Sequence, residues 1–226
     1  MKIISLITLL MLSGCAKDIS EKVTGENGST ISMRTFMPSA ELNDYHKPDS
    51  VLRVVKPHSL SISDFLNKPE GVVIHETPGM KVYARHTGLQ YKSGQDIEIL
   101  PEPTASYFFP KAKSATAKWL NSNGGSYHYD QFLNVTPSLW ALVSMTSSDE
   151  KMVLFYYVSY YKYPEGSHLL SLDTYHPKWC NKKSDEKTYK EWVANDFYLV
   201  RQVTQQFMDK CLAQFETDLP NLMARR

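Results

Sequence analysis

Two long apolar runs in the middle of the chain constrain the fold most. Ser138 to Ser147 reads SLWALVSMTS and Met152 to Pro164 reads MVLFYYVSYYKYP, with the charged SDEK between them. Runs this long, rich in Val, Tyr and Phe and parted by a short polar turn, predict a β-hairpin. After YPEGS, HLLSLDTYH (168–176) reads as an adjoining strand, so the three form an antiparallel meander.

Shorter β-rich runs lie upstream: VLRVV (51–55), GVVIHE (71–76), MKVYARH (80–86) and DIEIL (96–100). The turn signals Lys68-Pro69-Glu70-Gly71, Thr77-Pro78-Gly79 and Lys92-Ser93-Gly94 separate them, and 71–86 reads as a hairpin turning at Pro78-Gly79. SATAKWL (114–120) predicts a short helix, and NSNGGS (121–126) a turn. The C-terminal segment has a different period. Val193, Phe197, Val200, Val203, Phe207, Cys211 and Phe215 recur every three or four residues, which is one face of an amphipathic helix. Ser184 is its expected cap, and Leu219-Pro220 its expected end. Strands followed by one long helix predict an α+β fold, with a mainly antiparallel β-sheet and the C-terminal helix packed on it.

The N-terminus carries an address. Lys2 precedes the ten-residue apolar stretch IISLITLLML (3–12), and the small residues Ser13 and Gly14 follow. That is the layout of a secretory signal peptide, and it is too short to span a bilayer. The ending Leu12-Ser13-Gly14-Cys15 resembles the lipobox of bacterial lipoproteins. The resemblance covers about the first fifteen residues. It implies that residues 1–14 are removed and that the Cys15 thiol is lipidated. With Ala16 after the Cys, and Asp18 only at the fourth mature position, it also implies an outer-membrane protein facing the periplasm. Residues 15–50 then read as a lipidated N-terminus and flexible tether, because the stretch is rich in Ser, Asn, Gly, Glu and Lys without a sustained apolar period. Arg34 to Met37 (RTFM) is read as a segment that docks on the domain or on a partner. Residues 51–226 form the single folded domain.

With Cys15 assigned to lipid, Cys180 and Cys211 remain as an even pair in an oxidising compartment. A Cys180–Cys211 disulfide is the expectation, worth about 3 kcal/mol in the chain-entropy model. The alternative is two buried thiols.

Chemistry is harder to place. Beyond residue 14, 24 basic residues face 24 acidic ones, which is no match for nucleic acid. There is no GxSxG, HExxH, P-loop, GxGxxG or CxxC motif. His168, His176 and Cys180 lack the close ligand pairs of a zinc site, so no metal or other cofactor is expected. His128 and Asp130 are the nearest local acid–base pair, without evidence of a triad, and His75 and His86 face each other across the proposed 71–86 hairpin. On the Tyr-rich strand, Phe155, Tyr157 and Tyr161 share one face, and Tyr156, Val158 and Tyr160 the other. The first three are either an interface or the buried face of a central strand.

The leading expectation is therefore a protein-binding envelope lipoprotein. It would serve either as an accessory of a secretion or assembly machine or as an immunity-type inhibitor of a periplasmic effector. An envelope hydrolase and a small-ligand binder using the Tyr-rich strand are the alternatives.

Overall fold

The computed structural model describes residues 18–39, 48–55, 95–123, 125–144, 151–167 and 177–225. The central hairpin is its spine. Strands β5 (Leu133–Ser144) and β6 (Lys151–Lys162) pair antiparallel along their whole length, from Leu133 opposite Lys162 to Ser144 opposite Met152. A register shift at Pro137–Leu139 interrupts the ladder where proline has no N–H to give.

The outer edge of β5 is shared by two ribbons. Its first half pairs parallel with β2 (Thr30–Thr35), which forms a hairpin with β1 (Ile19–Thr24). Its second half pairs parallel with β3 (Val51–Val55), which pairs antiparallel with β4 (Gln95–Pro101). On the other side, β7 (Lys178–Lys183) and the two-residue β8 (Lys187–Thr188) line up along β6. The mixed sheet curls into a half-barrel, and α+β is the observed class. Five of its seven described pairings are antiparallel.

Among the described residues, two helices cover one face. A π-helical turn at Thr104–Phe108 leads into α1 (Phe109–Ser122), and α2 runs from Tyr189 to Leu222. The core lies between them and the sheet. Phe108, Phe109, Leu120, Phe207 and Phe215 meet Val135, Trp140, Leu142 and the even-numbered residues Met152 to Tyr160 of β6. The odd-numbered residues Val153 and Phe155 lie on the opposite face with Val55, Leu139, Ala141 and Val143. Strand alternation thus divides the aromatic run as the sequence divides it.

Residues 19–35, expected within a flexible tether, form the β1–β2 hairpin. Ile19, Glu21 and Val23, and Ile31, Met33 and Thr35, alternate with polar neighbours, and Val23, Ile31 and Met33 are buried in the core. Gly28, at φ 83°, makes the turn that a side chain would strain. Polar composition hid this two-residue period.

The helix start also differs from the expectation. Ser184 does not cap α2. Its hydroxyl accepts from Leu154 N at 2.9 Å and donates to Asp185 O, holding the chain against β6. Thr188 caps instead, accepting from Glu191 N at 3.2 Å while the Glu191 carboxylate accepts from Thr188 N at 2.8 Å. The Thr188 hydroxyl and N–H, both donating to the Glu191 carboxylate, hold that carboxyl below its usual range. The helix runs past Pro220 to Leu222. The proposed 71–86 hairpin and the 168–176 strand lie outside the described residues.

Candidate functional site

Cys180 on β7 and Cys211 on α2 are bonded, with Cα atoms 5.6 Å apart, and both are fully buried. The bond removes Cys180 as a ligand for any cluster with His168 and His176, which themselves lie outside the described residues, as do Cys15, His75 and His86. Phe155 is buried in the second apolar face of the sheet with the half-buried Tyr157 packed against it, and Tyr161 is buried as well. His128 and Asp130 serve different partners. His128 Nδ1 lies 2.9 Å from the Thr30 hydroxyl, whereas the Asp130 carboxylate accepts from Gly166 N at 2.9 Å. Hydrogen bonding with Glu165 and Gly166 holds the Asp130 carboxyl below its usual range. Arg34 of the RTFM segment pairs with Asp18 at 2.6 Å, lies over the Phe36 ring and stands in register with Asn134 of β5, so that segment begins docked on its own domain.

A polar network unannounced by any motif sits beside the β3–β4 ribbon. Glu102 follows β4, and its N–H donates to Ser50 O at 3.0 Å. Its carboxyl meets Thr104 N at 2.9 Å and the Thr104 hydroxyl at 2.5 Å, and that hydroxyl lies 2.8 Å from the Tyr156 hydroxyl. Burial pushes Glu102 up to about 8, against the lowering effect of the Thr104 bonds and with help from the Asp49 charge. Nearby, Asp49 pairs with Arg53 at 2.7 Å and accepts from Trp140 N at 2.9 Å. A carboxyl that stays neutral near pH 7 is chemically a general acid. Here both of its oxygens are committed to Thr104, so it works as a structural link between the start of the π-helical turn and β6. Among the described residues, no group of three His, Cys, Asp or Glu side chains is placed to hold a metal ion.

The most unusual backbone lies within α2. Ala194 is extended, and Asn195, Asp196 and Phe197 then have φ of 51°, 55° and 58° with ψ of 48°, 52° and 29°. This is a full left-handed turn made without glycine. Such a conformation costs about 1–2 kcal/mol per residue, less where Asn or Asp occupies it. It is fixed from both sides. Before it, Trp192 is fully buried and its Nε1 donates to Met152 O at 3.0 Å. After it, the Arg201 guanidinium donates to Asp196 O and, at 3.0 Å, to the Asp196 carboxylate. Directly following is Tyr198, 61% exposed. The period of three and four missed this break because Val193, Phe197 and Val200 fit a continuous stripe, and no Gly or Pro interrupts them.

Other exposed apolar side chains stand apart. Ile99, 64% exposed, rides on β4 where the register with β3 shifts between Val51 and Leu52. Among the described residues β7 pairs only with β6, and it carries Lys178, Lys182 and Lys183, charges that discourage edge pairing.

No protein-family model, curated protein or solved structure matches this chain.

Proposed function

We propose that the chain is an envelope lipoprotein, anchored through Cys15 in the outer membrane and facing the periplasm, whose folded domain acts by binding another protein. One observation carries the binding reading: the left-handed turn at 195–197 presents Tyr198 to solvent on a backbone locked by Trp192 and Arg201. Tyrosine is a preferred interface anchor, and locking it beforehand removes much of the ordering cost of association. The disulfide and the core beneath α2 make that mount rigid.

The partner would belong to a secretion or assembly machine, or would be an effector that the domain inhibits. Affinity purification from membranes through a C-terminal epitope separates these. One recovered enzyme, inhibited on binding, supports the immunity role. A set of envelope proteins supports the accessory role. Turnover of an envelope substrate by the purified chain, with no protein recovered, contradicts the proposal.

A further inference from the structure

We infer that the domain works against the membrane that anchors it, and that its partner is a protein embedded in or anchored to that same membrane. The inference rests on Cys15 being the lipidated residue, as proposed above, and deepens the binding reading by naming the class of partner.

A 35-residue tether from 16 to 50 would carry a domain about 33 Å from its anchor on average, and much further when extended. The folded chain instead starts almost at once. Asp18 is ion-paired to Arg34, and β1 is in register with β2 from Ile19 opposite Thr35 onward. The hairpin is tied into the domain at its far end too. Asn27 Nδ2 donates to Leu120 O at 2.7 Å, Glu26 N donates to Asn121 Oδ1 at 2.7 Å, and Lys113 pairs with Glu21. Residues 19–35 are therefore not available as spacer. From Cys15 to Ile19 the chain spans at most about 14 Å even when fully extended. A domain of some 200 residues is about 45 Å across. Every point on it, Tyr198 included, therefore lies within about 60 Å of the bilayer. A protein confined to the membrane keeps its contact surface in that layer, whereas a freely diffusing partner gains nothing from so short a leash.

The test is a tether series on the full lipidated chain, with 24 Gly/Ser residues inserted between Ala16 and Lys17 and a C-terminal epitope for recovery. The insertion raises the mean reach from about 11 Å to about 29 Å and dilutes the domain through a layer about threefold thicker. We expect unchanged membrane association and about threefold lower recovery of the partner. Recovery that stays level or rises with the insertion overturns the inference and leaves the binding reading intact. Membrane association that does not depend on Cys15 removes the anchor reading, and the inference with it. An anchored chain that recovers no protein at either length removes the binding reading, and again the inference.

Discussion

The two stretches of α2 on either side of residue 194 obey different rules. From Tyr198 to Leu222 the helix behaves as its sequence suggests. Val200, Phe207, Cys211 and Phe215 are buried, Phe215 packs edge-on against Tyr160 at 5.1 Å, and the Tyr160 hydroxyl donates to Asp218 at 2.7 Å. From Tyr189 to Val193 a single turn is held by its cap and by Trp192, then set off from the rest by three left-handed residues. The first stretch is stabilised by a stripe, the second by one anchor. The unfavourable backbone is offset by the burial of Trp192, and its outward result is an exposed tyrosine on a fixed backbone.

Removing the anchor should have the largest effect. Trp192→Ala is expected to cost about 4 kcal/mol in urea unfolding, the usual loss for a fully buried aromatic. A cost below 1 kcal/mol would mean that the short stretch is not held by this residue. On the other stretch, replacing Cys180 and Cys211 together by Ala should cost about 3 kcal/mol and leave the turn from Tyr189 to Val193 unchanged in hydrogen exchange. Loss of protection on both stretches would show that they are not separate.

A smaller effect carries more information because its sign is diagnostic. In a continuous helix Asn195→Ala would stabilise, since alanine is the best helix former. In the left-handed turn it should destabilise by about 1 kcal/mol, because Asn tolerates that conformation better than Ala. The urea midpoint decides between them.

Glu102 is the other place where the chain carries a cost, and it gives a pH signature. Its folded pKa, about 8, lies above the ordinary carboxylate value. Its contribution to stability is therefore fully present below about pH 4.5 and is lost as the pH rises through 8. Glu102→Gln keeps a neutral group that accepts from Thr104 N and donates to the Thr104 hydroxyl. It should leave stability almost unchanged at pH 4.5 and raise it increasingly toward pH 8.5. An equal change at both values would contradict burial of this carboxyl.

Legibility in the sequence followed the length of the signal. The β5–β6 hairpin is readable because two long apolar, β-rich runs flank a short polar turn, and the stripe from Val200 to Phe215 because its apolar residues keep a helical spacing. The Cys180–Cys211 pairing was readable because only one pair remained once Cys15 was assigned. The β1–β2 hairpin is hidden in the sequence because six-residue strands with Ser, Lys, Thr and Arg on their outer face differ from a polar linker only in alternation. The Glu102 network depends on Thr104 and Tyr156, 52 residues apart, which no local pattern connects. The turn at 195–197 is set by the distant contact of Trp192 with Met152, so Ala-Asn-Asp-Phe alone reads as helix.

Tyr198→Ala should alter stability least, by under about 0.5 kcal/mol, because the side chain is exposed. It is also the most direct test of the central claim that the locked turn exists to present this residue to a protein. Affinity recovery from membranes, with wild-type and Tyr198→Ala chains compared at equal levels and with matched urea midpoints, should lose the partner at least tenfold in the variant. Equal recovery from both would contradict the account.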